Sequence, residues 1–218
     1  MDTGARIGLA LNEFMADYGG LAFKLPEIAG CYAGKKLVIV GDAIGVWNDL
    51  EAFGCRVDLR MGAVAKDGWD FLTINKILET FPGKIEHAYS NQPNLLATFI
   101  AARRQEYRIE FGAPKHTHSC NKGAAWHWPW SGSGTSGLGA AFVGIMLGYE
   151  PPIVLCGVPL DDGPHNGEPP WRKTKFGVSE AANTDGGGSN KHWRRLKDAF
   201  PDKVRSMSGR TRDWFGTP

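Results

Sequence analysis

The chain has 218 residues, of which 42% are hydrophobic and 22% charged, with a formal net charge of +2. This is the profile of an ordinary globular protein, long enough to bury a useful core in one domain with an elaboration. No uninterrupted apolar run is long enough to span a bilayer, and the start lacks a basic, then apolar, signal peptide, so no membrane partner and a cytoplasmic location are expected. Four cysteines, Cys31, Cys55, Cys120 and Cys156, form no C-x-x-C pair, which excludes zinc-ribbon and dithiol redox readings.

In chain order, residues 2–20 carry a weak helical stripe (Ile7, Leu11, Phe14, Met15, Tyr18) closed by Gly19-Gly20. Lys36 to Val40 is an apolar strand followed directly by Gly41, and GDAIGVWNDL then turns toward a helix. This is the outline of a first βα turn of a nucleotide-binding fold, without a G-x-G-x-x-G fingerprint. Asp42 either contacts a ribose or metal or caps the following helix. Arg56 to Val64 reads as a second strand, and Trp69 to Phe81 has helical spacing at Phe71, Ile74, Ile77, Leu78 and Phe81. Lys84 to Tyr89 reads as a short strand, Asn94 to Arg104 as a helix started by Ser90-Asn91-Gln92-Pro93, and Tyr107 to Phe111 as a strand.

Residues 112–130 read as a loop. They carry His116, His118 and His127 with Trp126, Trp128 and Trp130. His-x-His is compatible with a metal site or a wet loop, and the tryptophans with an aromatic wall or a closure of the core. The strongest stretch follows, from Trp130 to Pro159. Ser131 to Gly137 is a small-residue turn, Leu138 to Leu147 is apolar or small on every side and so a buried helix, Gly148 stops it, and Ile153 to Val158 is a doubly buried strand. Such a turn either lets the helix pack tightly or leaves bare amides, at the positive end of a dipole, for an anion.

Beyond this strand lie Asp161, Asp162 and His165, where ligands of open α/β sheets bind. Residues 163–190 are rich in Gly, Pro, Asn and Ser and read as a long mobile loop with the role of a lid or of a surface excursion. Ser189 then caps a helix over Asn190 to Phe200 that carries His192, Val204 to Met207 forms an edge strand, and Ser208 caps a last helix with Arg210 and Arg212. Residues 191–218 hold eight Lys/Arg against three Asp/Glu, whereas the rest holds 17 against 20. That basic segment suits a phosphate-bearing partner, a nucleotide or a nucleic acid, or forms a solvated helix face. Strands alternating with helices predict a three-layer, Rossmann-like α/β fold, a mostly parallel sheet with helices on both faces, as a single domain over 1–218.

Three pieces, IVGDAIGVWNDL at 39–50, TSGLGAAFVGIMLGYEPPIVLCGVPLD at 135–161 and the His192 region, resemble the sialyltransferase-like and 6-hydroxymethylpterin diphosphokinase-like Rossmann superfamily, and most closely its small phage-encoded members. The resemblance covers about a third of the chain and departs from the family at the first turn, where Asp42-Ala43 replaces a Gly-x-Gly-Pro-Ser type sequence. It implies nucleotide contacts from Gly41, Asp42 and Gly45 and from Thr135, Ser136 and Gly137, with Ser133 and Gly134 in the same turn. It also implies a general base near the last helices, for which His192 is the nearest equivalent. The expectation is a glycosyltransferase that uses a nucleotide-sugar donor and a glycan or phage DNA acceptor. In it His192, or else His165, takes the acceptor proton, and Arg210, Arg212 or Lys191 offsets charge on the leaving phosphate. Two alternatives stand beside it: a Mg²⁺-dependent diphosphokinase-like phosphotransferase with Asp161 and Asp162 as ligands, and a non-enzymatic phage assembly or nucleic-acid-associated protein.

Overall fold

The computed structural model describes residues 27–59, 63–108, 110–118, 126–128, 135–161, 166 and 188–218. In chain order the elements are β1 (Lys36–Val40), α1 (Val46–Ala52), β2 (Arg56–Asp58), β3 (Ala63–Ala65), β4 (Trp69–Ile74), α2 (Ile77–Thr80), β5 (His87–Tyr89) and α3 (Pro93–Tyr107). They continue as β6 (Lys115–His118), β7 (Trp126–Trp128), α4 (Ser136–Leu147), β8 (Ile153–Cys156), α5 (Gly188–Ala199), β9 (Val204–Ser206) and α6 (Gly209–Phe215). Seven strands form one sheet in the order β7-β6-β5-β4-β1-β8-β9, and every neighbouring pair is parallel.

β1 shows why. Leu37, Val38, Ile39 and Val40 are all fully buried. Side chains alternate across a strand, so Leu37 and Ile39 join α4, α5 and α6 in one apolar cluster, while Val38 and Val40 join α1 and α2 in another. The fold is therefore three-layered. Eleven of the twelve residues of α4 are buried, from Gly137 to Leu147, and Gly148 ends the helix in a left-handed conformation at φ 86°. A β-carbon on Gly139 would run into the Tyr89 ring, so close packing of α4 on β5 requires glycine there. On the opposite face, the buried Arg103 guanidinium of α3 donates to the carbonyls of Phe81 and Gly83 and so fixes α3 to the end of α2.

From β1 the chain runs outward through β4, β5, β6 and β7, then returns to the other side of β1 for β8 and β9. The reversal falls between β1 and β8. It is the topological switch point, where loops at the carboxyl ends of neighbouring strands diverge and leave a crevice.

Several sequence expectations give way. Trp69 to Phe81 is not one helix: Trp69–Ile74 is β4, with Phe71 and Leu72 buried on opposite faces, and only Ile77–Thr80 is helical. Pairing with β1 along its whole length overrides the fortuitous helical spacing. Tyr107 ends α3, with Arg108 left-handed at φ 55°, so the next strand is Lys115–His118. Within 112–130, expected as a loop, the described residues form two strands, β6 and β7. Arg56 to Val64 forms a separate antiparallel hairpin, β2-β3, because exposed Arg56 suits a surface ribbon. The expected helix over 2–20 lies outside the described residues, as does the 163–190 loop apart from Asn166 and the first turn of α5. No helix among the described residues is long and apolar enough to cross a membrane.

Candidate functional site at the carboxyl edge

At the switch point Gly41 follows β1 and Gly157 follows β8. Gly157 sits at φ 68°, a conformation side chains rarely adopt, and its β-carbon would approach the Gly41 carbonyl oxygen and the Val46 side chain to 2.8 Å. The converse holds too, since a β-carbon on Gly41 would collide with the Gly157 carbonyl. The two loops therefore lie backbone to backbone. The Gly41 amide donates to Cys156 O at 2.8 Å and the Ala43 amide to Gly157 O at 3.3 Å. Cys156 itself is a core residue, with its thiol pushed well up by burial. The Gly157 amide donates to the buried Asp49 carboxylate of α1 at 2.8 Å, and the same oxygen accepts from the Ser208 hydroxyl at 2.6 Å. Asp49 thus joins α1, the end of β8 and the entry to α6. Asp42 does not occupy the capping position of α1, which is Gly45; the Asp42 carbonyl accepts from the Asn166 amide at 2.8 Å.

α4 begins on this same edge. Its N-cap is Thr135, whose hydroxyl accepts from the Leu138 amide at 3.3 Å and from the Trp193 indole at 3.1 Å. The Ser136 hydroxyl accepts from the Asn91 amide, just past β5, at 3.4 Å. A β-carbon on Gly137 would crowd Val158 at 2.7 Å and Trp193 at 3.3 Å, so part of this glycine-rich turn exists for packing. The amides of Ser136 and Gly137 are a different matter. They lie in the first turn, where a helix has no internal acceptor, and the described residues supply none. On β4 the Thr73 hydroxyl is buried and also lacks a partner among the described residues, but it shares the Phe71 face of the strand, opposite α4. Ser133 and Gly134 lie outside those residues.

Trp193 brings α5 to the start of α4 and packs edge-on against Phe215 of α6, with ring centroids 5.9 Å apart. His192 precedes it and is half-buried; burial, then the charges of Arg195 and Lys191, hold its pKa below the ordinary histidine value. It is therefore neutral at pH 7 and competent to accept a proton. α6 is bolted to the loop after β8: the Thr211 hydroxyl donates to Val158 O at 2.6 Å, and Gly209 abuts Pro159 and Asp161. Half-buried Arg210 is thereby held on the edge that carries Asp161, whereas Arg212 is exposed. Asp162 and His165 lie outside the described residues, and among those described no three His, Cys, Asp or Glu side chains gather at metal-binding distance.

The histidine and tryptophan stretch builds something else. Trp128 and His116 are fully buried. The Trp128 indole donates to His116 Nδ1 at 3.1 Å, His116 Nε2 meets His87 Nδ1 at 3.0 Å, His87 Nε2 meets the Tyr149 hydroxyl at 2.9 Å, and that hydroxyl donates to Asp70 at 2.8 Å. An indole only donates and a carboxylate only accepts, so the direction of every bond between them is fixed and both rings are neutral, protonated on Nε2. Burial lowers the pKa of His87 to about 4 and of His116 to about 3. His127 of β7 is exposed and takes no part in these four bonds.

Asp49, Trp193 and Thr211 escaped the sequence reading because their partners lie on distant elements; only the Ser208 signal was visible, and it was read as a helix cap. No protein-family model matches the chain. No curated protein matches it in sequence. Among solved structures, a variant of the sialyltransferase CST-II in complex with CMP superposes with a TM-score of 0.50 at 12% identity, over 84% of this chain and 86% of that one. A second variant of that enzyme in complex with CMP gives 0.46 at 14% identity over the same shares. At such low identity the likeness is one of architecture: this chain has a parallel, three-layer α/β fold similar to that of a sialyltransferase.

Proposed function

We propose that the protein transfers a sugar from a nucleotide-sugar donor to an acceptor hydroxyl, with the donor bound outside the carboxyl ends of β1 and β8. The observation that carries this reading is the pair of amides, Ser136 and Gly137, that lack acceptors among the described residues at the start of a twelve-residue buried helix that opens on the switch point. They suit an anionic group, and the Gly41–Gly45 turn would flank the nucleoside. The fold likeness to a CMP-complexed sialyltransferase supports the choice of a nucleotide donor and puts a cytidine nucleotide first.

In this mechanism the acceptor oxygen attacks the anomeric carbon. The bond from that carbon to the phosphate oxygen breaks, and its electron pair leaves with the nucleotide. His192 takes the acceptor proton, while Arg210 and the α4 amides offset the negative charge that collects on the leaving phosphate. Such an amide contact strengthens as charge develops, so it lowers the barrier and does more than bind the donor.

The test is a thermal-shift and calorimetry panel of CMP, UDP, GDP and ATP, each with and without Mg²⁺. A ligand that binds only the native state raises its melting temperature. We expect CMP to stabilise the protein without metal, and His192→Ala to retain CMP binding while losing hydrolysis of a CMP-sugar donor. Stabilisation by ATP with Mg²⁺ alone would instead select phosphoryl transfer, with Asp161 and Asp162 as the residues to mutate.

A further inference from the structure

The positive charge of this chain is segregated, and the structure puts it on one pair of helices. Residues 191–218 carry eight Lys/Arg against three Asp/Glu, while the rest of the sequence is net negative. On α5 the inward positions Asn190, Trp193 and Leu196 are buried, so Lys191, Arg194, Arg195 and Lys197 lie on its outer side. On α6 Thr211 and Phe215 are buried, and Arg210 and Arg212 lie on the outer side. The Arg194 guanidinium stands over the Trp214 ring at 5.7 Å, which joins the two outer faces into one surface. Two carboxylates, Asp198 and Asp213, share it with the six cations.

We propose that the outer faces of α5 and α6 form a docking surface for the phosphate backbone of a nucleic acid. Four of the six cations are arginines, whose planar forks match phosphate oxygens in pairs. A membrane is the wrong occupant: the large exposed apolar side chains among the described residues are Ile44, Leu59 and Leu95, and none is on α5 or α6 to enter a lipid layer. A folded protein partner would seek aromatic or aliphatic anchors, and the aromatic ring on this surface, half-buried Trp214, is already covered by the Arg194 guanidinium. A uniform polyanion needs only cations spread over an open face. Because Trp193 ties α5 to the start of α4, a strand held there would run past the carboxyl edge of the sheet.

The test is fluorescence anisotropy with a labelled duplex DNA and its single strand, over a salt titration and with no sugar nucleotide present. Success or failure here is therefore separate from that of the glycosyltransferase reading. With about four phosphates contacted, affinity should fall on the order of 10²-fold between 50 and 200 mM salt. The triple variant Arg194→Gln, Arg195→Gln, Lys197→Gln should reduce the log–log salt slope by about 2 to 3. A matched triple on remote exposed cations, Lys36→Gln, Arg56→Gln, Lys76→Gln, should leave it nearly unchanged. Urea midpoints of both variants report that they fold, and the slope of the unmutated protein reads without any variant. Absence of salt-dependent binding to both probes overturns the proposal. So do equal losses from the two triples, or tighter binding to phosphatidylserine vesicles than to either DNA.

Discussion

The protein holds two polar networks, and they end differently. The relay from Trp128 through His116, His87 and Tyr149 to Asp70 is closed: it starts on a group that only donates, ends on one that only accepts, and leaves no hydrogen unassigned. The carboxyl edge is closed at Asp49 yet open at the start of α4, where the Ser136 and Gly137 amides lack acceptors among the described residues. A buried group without a partner costs about 1–3 kcal/mol, so breaking the closed network should destabilise the fold more than changing the open edge.

The comparison breaks first at its closed end. Trp128→Ala removes a fully buried indole and strands His116 Nδ1, and should cost about 3–5 kcal/mol in urea unfolding without changing the nucleotide affinity of the protein that remains folded. Acid is the next largest lever. The relay holds His87 at about 4 when folded against an ordinary 6.5, so the unfolded state binds the extra proton between those values. Stability is then complete above about pH 6.5 and is lost as pH falls toward 4, on the order of 3 kcal/mol for this residue. Melting temperatures of a His87→Gln, His116→Gln variant should be lower at pH 7 and flatter across that window.

At the open end, Gly157→Ala meets both a left-handed backbone and the Val46 side chain. It should cost about 2–3 kcal/mol and, unlike the relay variant, abolish nucleotide binding by prising apart the two loops. Asp49→Asn keeps the shape but weakens two charge-assisted hydrogen bonds, for about 2 kcal/mol and a loss of affinity that grows as the Ser208 contact loosens. The smallest effect is that of Thr135→Ala, which deletes a helix cap worth about 1 kcal/mol, while Thr135→Ser restores it. A thermal-shift series with and without CMP separates stability from affinity in every case.

The elements legible in the sequence are those buried on both sides. β1, α4 and β8 are continuous apolar runs, and their glycine stops stand where the chain turns. β5 is legible as the end of the Lys84 to Tyr89 run, whereas β6 and β7 are obscured because their interior side chains include His116 and Thr117, polar residues that are buried only because each finds a partner across the sheet. The site divides the same way. Its glycine turns are local signals, but the Asp49 carboxylate is recognised by its contacts with an amide 108 residues away and a hydroxyl 159 residues away, which no window on the sequence brings together.

The strand order carries a consequence for biosynthesis. β1 is an interior strand of the sheet and emerges before the other described strands, but one of its two flanks stays bare until β8 has been translated, with Val38 waiting for Val154. The braces on the carboxyl edge come later still, from Ser208 and Thr211, which follow every described strand in the chain. A nascent chain can pair β1 with β4 as it emerges, but its carboxyl edge stays unbraced until α6 has been made, and ribosome stalling before α6 would yield a sheet without those braces.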